Sequence, residues 1–335
     1  MTSKVMQDIL GDITVSITVL YDLFFGPDVR LNFNYILVFI LISFVLFLKR
    51  RVQGKRFFSW LFPADIYKHT SHIVDIKLFT LNRILSGLGF FGNISIALAV
   101  MVVIKTWLGL IFTAPEITVT NSKADIIIIT IFITLTGDFS TYWVHRLSHS
   151  VNLLWPFHRV HHTAEVMTPV TTYRRHPVYD LLSNYMRAFL NGIMQAILLF
   201  FFFPEIGIVA IGSVNAIYYF FNLLGSNFRH THIALGYGYI LEHIFISPSQ
   251  HQVHHSLRVE HHNKNFGEIF AIWDWIFGSL YISSPEEKLE FGLADENGQL
   301  VPQLHNGLRS ALIEPCITAL ETLTNNPEKS TEKTS

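Results

Sequence analysis

Three histidine units dominate the chemistry this chain of 335 residues could do. His145 and His149 form the first, His158, His161 and His162 the second, and His251, His254 and His255 the third. Neutral imidazole is a borderline ligand that suits iron, zinc and copper. Residues spaced by three and four share one face of a helix, so each unit can aim its rings at a common point. One ion takes about four to six protein ligands. Eight histidines are too many for one ion and suit a pair. The chain has 17 histidines, and random scatter would not give two His-x-x-His-His units.

Asp138, Tyr142, His145 and His149 are spaced by four, three and four, which extends the first unit along one helical face. A carboxylate in apolar sequence is costly unless paired. Its expected partner is the second ring nitrogen of a ligand histidine, which it would orient and make more basic. Hydrogen bonds from Tyr142 or Thr141 are the alternative. His176 in YRRHP and His230, with His232 two residues on, are further ligand candidates, and His261 or His262 could add one more. His69 and His72 have no third partner. His243 sits in an apolar run and reads as a packing residue, and His305 lies in the polar tail region.

Apolar helices must carry these units. The first candidate span, 31–48, is followed at once by Lys49, Arg50, Arg51, Lys55 and Arg56, which puts that end in the cytoplasm. Further spans are expected at about 88–113, 125–144, 182–203 and 206–224, the last two as a hairpin turning at Pro204 and Glu205. Residues 12–25 are short for a span and read as an interfacial helix. Threading the spans in turn brings both histidine-rich stretches, about 145–180 and 228–265, to the cytoplasmic side. Ser247, Pro248 and Gln250 fit a capping box with proline at the first helical position, so the third unit should open a helix. The expected fold is an all-α integral membrane protein. It has four to five transmembrane helices and a cytoplasmic-side helical cap around a multi-histidine di-metal site. Residues 1–80 form an N-terminal membrane segment and surface helix, 81–281 a catalytic domain and 282–335 a polar tail with a disordered end.

Composition agrees. Half the residues are hydrophobic, 15% are charged, and mean hydropathy is +0.37. A globular protein sits near about 25% charged. A net charge of −1 gives no reason to expect a nucleic-acid partner. One cysteine, Cys316, excludes a disulfide framework, a cysteine-held zinc site and an iron–sulfur cluster. The N-terminus shows no cleavage-site pattern of a removable signal peptide. No HExxH, Glu-x-x-His, dinucleotide fingerprint or haem signature appears.

HRLSH at 145–149, FHRVHH at 157–162 and HQVHH at 251–255 resemble the three histidine boxes of the fatty acid hydroxylase / sterol desaturase superfamily. NKNFG at 263–267 and IWDWIFGSLY at 272–281 are similar to the segment after its last box. The resemblance covers about 125–281. It implies a cytoplasmic-side pair of non-haem irons, replaceable by zinc in isolated protein, that uses dioxygen and electrons from an external electron-transfer protein or reductant. It implies hydroxylation or desaturation of a sterol, fatty-acyl or alkylglycerol lipid drawn from the bilayer. By position His145, His149, His158, His161, His162, His251, His254 and His255 would be ligands, with His176 and His230 in two further ligand places. His232 competes with His230. Phe201–Phe203 and Tyr218–Phe221 could line a lipid path, or simply face lipid. The enzyme would sit in the inner membrane of a bacterium or the endoplasmic reticulum of a eukaryote. Two other readings compete: a histidine-rich metal transporter, which would need polar residues within the spans, and an inactive relative with a structural metal. The sequence names neither the lipid, the position attacked nor the electron donor.

Overall fold

In a computed structural model of the protein, the described residues are 15–27, 29–91, 95–115, 123–203, 215–284, 287–295 and 297–324. Among them the architecture is helical, and pairing of extended backbone is confined to isolated bridges. The main helices are α1 (Val15–Phe25), α2 (Phe33–Lys49), α3 (Thr70–Gly87), α4 (Ser95–Ile111), α5 (Lys123–Ser150), α6 (Trp155–His162), α7 (Pro177–Phe201), α8 (Asn215–Gly225), α9 (Pro248–His254), α10 (Ile272–Ile276) and α11 (Leu308–Leu323).

Among the described residues α5, with 28 residues, is the helix both long and apolar enough to cross a bilayer. Helices α1, α2 and α4 are apolar but shorter. The expected hairpin turn at Pro204 and Glu205 lies outside the described residues.

Helix α7 is the central strut and packs along both α4 and α5. Gly192 lets α4 come close: a Cβ there would meet the Ala97 carbonyl at 2.7 Å and Val100 at 2.9 Å. Met101 packs with Ala196 and Leu199, and Ile129 and Ile133 pack with Leu198. On the other flank α2 packs on α8, and Phe39, Leu61, Phe228 and Ile233 bury together. Val29, Leu61, Ile233 and Ile246 are fully buried. Burying one such side chain contributes about 1.5–3 kcal/mol.

The C-terminal part departs from the tail expected of residues 282–335. Helix α11 packs on α6 with Ala311, Pro315 and Ala319 inward, a stripe of small residues at every fourth position that a search for large apolar faces passes over. His305 is fully buried, not a tail residue. Its Nε2 lies 2.8 Å from Glu314 and its Nδ1 3.0 Å from Thr163. The Arg159 guanidinium also pairs with Glu314. Residues 325–335, where a disordered end is expected, lie outside the described residues.

A second buried pair fixes the far end of α6. Arg174 and Asp75, both fully buried, meet at 2.9 Å. Arg174 Nε donates to the Val160 carbonyl at 2.8 Å and Thr171 donates to Asp75 at 2.6 Å. Breaking one partner of such a pair costs about 3–5 kcal/mol, because the other charge stays buried.

Candidate metal centre

Each histidine unit sits on a short, well-anchored piece of chain. The first occupies the last turns of α5. One turn before His145, Tyr142, fully buried, stacks on Phe277 with ring centres 5.6 Å apart, and its hydroxyl reaches Ser279 at 3.1 Å. The second is α6 itself, opened by Pro156 in its first turn. The third is α9, where the expected capping box is present. Ser247 Oγ accepts from the Gln250 N–H at 3.1 Å, and Gln250 Oε1 accepts from the Ser247 N–H at 2.9 Å.

These pieces bring nine imidazoles into two adjoining groups. His145, His149, His158, His162 and His254 form one, and His161, His230, His251 and His255 the other, with candidate ligand atoms within 4.8 Å inside each group. The second and third units split between the groups. His162 and His255 stack across the boundary, ring centres 4.5 Å apart and planes 22° from parallel.

Within the first group His158 Nε2 lies 3.0 Å from His149 Nε2 and 3.2 Å from His162 Nε2. Within the second His230 Nε2 lies 3.1–3.2 Å from the Nε2 atoms of His161, His251 and His255. One imidazole N–H can satisfy one such neighbour, so lone pairs must face lone pairs. Donors bound to one ion at about 2.0–2.1 Å sit at this kind of separation. A cation is what turns the arrangement from repulsive to attractive, and the donor set fits an imidazole-preferring metal in each group.

The outward nitrogens say which tautomers are set. His145 Nδ1 lies 2.8 Å from the Phe266 carbonyl and His254 Nδ1 2.7 Å from the Lys264 carbonyl. Carbonyls only accept, so both Nδ1 atoms carry the proton and both Nε2 atoms keep a lone pair for the site. His254 Nε2 is buried with no hydrogen-bond partner among the described residues. Burial first, and second the repulsion that neighbouring imidazoles would exert on one another if protonated, holds His158, His161, His162, His251, His254 and His255 well below the ordinary histidine value. His230 is lowered by burial and then by Arg30, Arg229 and Arg175. These rings are neutral at pH 7, the form that ligates.

Two predicted roles need correction. His176 lies apart from both groups. Its Nδ1 accepts from the Val178 N–H at 3.1 Å at the start of α7, and its Nε2 points at the Leu312 carbonyl at 3.0 Å. Asp138 touches no ligand histidine, nor does it take hydrogen bonds from Tyr142 or Thr141. Its carboxylate accepts from the Ile269 N–H at 2.8 Å and from the Phe270 N–H and Trp273 indole at 3.0 Å. It positions the loop whose Phe266 carbonyl holds His145, one link further from the centre than expected. His232 donates to the Trp60 carbonyl at 2.9 Å and His261 faces Glu287 at 3.3 Å. Neither these nor His262 joins either group.

Sequence reasoning missed Asp274, Asn265 and Gly267. Asp274 accepts from the Phe266 and Gly267 N–H groups, both at 2.8 Å. Asn265, fully buried, donates to the Gln250 carbonyl at 3.0 Å and accepts from the Tyr281 N–H at 2.8 Å. Asn263 and Asn265 have φ of 58° and 56°, a region where asparagine is favoured among side-chain-bearing residues. A Cβ on Gly267 would lie 2.6 Å from the Phe270 carbonyl. The pattern NKNFG followed by a buried aspartate was the available signal.

The groups border a cavity of about 1200 Å³. His145, His158, His161, His230 and His251 line it on one side, and Tyr218 and Tyr219 elsewhere; Phe201–Phe203 do not.

The described residues thus combine a helical scaffold, two imidazole groups that could each hold a metal ion and an adjoining cavity. Residues 130–279, somewhat under half of the chain, match the fatty acid hydroxylase family. The chain is similar to human alkylglycerol monooxygenase, 31% identical over 47% of this chain and 31% of that protein. It is also similar to ornithine lipid hydroxylase of Rhizobium tropici, 29% identical over 47% of this chain and 43% of the relative, and to rat lathosterol oxidase, 27% over 51% and 54%. The match therefore spans about a third of the length of alkylglycerol monooxygenase. No solved structure matches the chain.

Proposed function

We propose that the chain is a dioxygen-dependent, di-iron membrane enzyme that hydroxylates or desaturates a lipid. The observation that carries this reading is the pair of adjoining histidine groups opening on one cavity. His145, His149, His158, His162 and His254 would hold one ion, and His161, His230, His251 and His255 the other. Iron bound there would supply the reductive activation of dioxygen needed to attack an unactivated C–H bond. The chain's own part is to hold neutral Nε2 donors in place, to orient the lipid in the cavity and to exclude water. Electrons come from an external electron-transfer protein or reductant.

Contacts at the basic end of α2 support one orientation. The Arg50 guanidinium donates to the Ala234 carbonyl, and the Trp60 carbonyl accepts from His232. The basic run 49–56 and the segment after His230 thus lie on one side. The positive-inside rule supports reading that side as cytoplasmic, in a chain proposed to cross the membrane several times.

The test is a lipid profile of cells with and without the protein, beside cells carrying His255→Ala. A hydroxylated or newly unsaturated lipid made only by the wild type is the expected result. Identical profiles, from wild-type protein shown to hold iron, would overturn it.

A further inference from the structure

The cavity carries more positive charge than its carboxylates neutralise. Arg30, Arg175, Arg187 and Arg229 all line it. Glu268, on the same wall, serves two of them: its Oε1 lies 2.8 Å from Arg30 and 3.5 Å from Arg229, and also accepts from the Tyr218 hydroxyl at 2.8 Å. Arg175 Nε lies 3.0 Å from Asp180 but is not aligned to donate to it. Among the described residues Arg187 has no carboxylate within ion-pair distance; its side chain donates to the neutral Asn184 carbonyl oxygen at 2.5 Å. Asp138, the remaining lining carboxylate, already accepts from three N–H groups. Four guanidiniums therefore face three carboxylates even when Asp138 is counted.

An excess of charge among apolar helices is costly, and such residues mark substrate sites when they face a cavity. Guanidinium is the group suited to planar recognition of carboxylate or phosphate. Three of the arginines also stand near the second histidine group, since Arg30, Arg229 and Arg175 all act on His230.

We propose that this cavity selects an amphiphile with an acidic headgroup, a carboxylate or phosphate, held by Arg187 together with the Arg30–Glu268–Arg229 group. The inference rests on reading the cavity as the lipid site. It excludes a neutral glycerol lipid as the preferred substrate and places the oxidised carbon toward the headgroup end.

The experiment is equilibrium binding to the iron-loaded full chain in neutral detergent at low salt. The probes are 1-oleoyl lysophosphatidate, 1-oleoylglycerol, which has the same chain and no charge, and inorganic phosphate as competitor. Wild type should prefer the lysophosphatidate by about tenfold, the scale of one hydrogen bond to a charged group. Arg187→Gln should bring the two lipids close to parity, and Arg187→Lys should keep most of the preference. Equal binding by wild type, or a preference unchanged in Arg187→Gln, overturns the proposal. Inorganic phosphate displacing the lipid at equal concentration also overturns it, because the site would then be one for a free anion. Turnover separates the two readings. Preferred binding of the acidic lipid without any oxidation would sink the oxygenase reading and leave this one. Preferred oxidation of oleoylglycerol would sink this one and leave the oxygenase.

Discussion

The two histidine groups are built from the same residue but are supported differently. In the first, His145 and His254 each donate an outward Nδ1 proton to a carbonyl of one loop. That loop is pinned by Asp138 and Asp274, which between them take four backbone N–H groups. In the second, the Nδ1 atoms of His161, His230 and His255 are buried with no hydrogen-bond partner among the described residues; in the first, only that of His158 is. Arginines, not carbonyls, stand beside it. An outward acceptor raises ligand basicity and fixes ring orientation, and a nearby cation does the opposite. The first group is therefore expected to be the tighter site, and the second, beside the charged part of the cavity, the weaker one.

The largest effects come from the ligands themselves. His149→Ala and His161→Ala should each abolish turnover, but only the second should leave the other ion firmly bound. Metal content beside activity checks this, and equal loss of both ions from either variant would break the distinction.

Next comes the loop. Asp138→Asn leaves N–H donors facing an amide and should cost about 1–3 kcal/mol of stability. It should also weaken the first site by about tenfold, at the low end for outer partners of a ligand. Melting curves and metal titration read the two effects. A variant with unchanged affinity at the first site would show that the loop does not tune it.

Chelation should be biphasic. The ion of the second group should leave first, and a single phase removing both together would contradict the asymmetry.

The smallest effect belongs to Glu268. Burial would raise its carboxyl, but Arg30 and Arg229 outweigh that and hold it at about 2. The folded value lies below the ordinary value of about 4.3, so its contribution to stability is complete above that pH and is lost as pH falls toward about 2. Glu268→Gln should flatten this acid limb in melting temperature against pH. Leaving Arg30 and Arg229 uncompensated should also weaken the second site several-fold and leave the first unchanged.

Much of this was legible in the sequence, for reasons that differ by residue. The three histidine units and the capping box at Ser247 depend on spacing along one helix, and spacing is what a sequence shows. His176 and His230 looked alike because each follows an arginine. Only the fold separates a ring that caps α7 from one that enters the second group. Asp138 was singled out correctly as a buried carboxylate, but its partners are backbone N–H groups 131 and 132 residues away, which no local pattern reveals. The helix α11 was missed because its buried face is made of small residues. The arginine excess was invisible because Arg30, Arg187 and Arg229 come from distant parts of the chain.

The most direct test of the two-ion centre is iron content of untagged protein purified and loaded without oxygen. Two irons per chain in the wild type, falling to one in His161→Ala, is the predicted result. One iron or none in well-folded wild-type protein would contradict it.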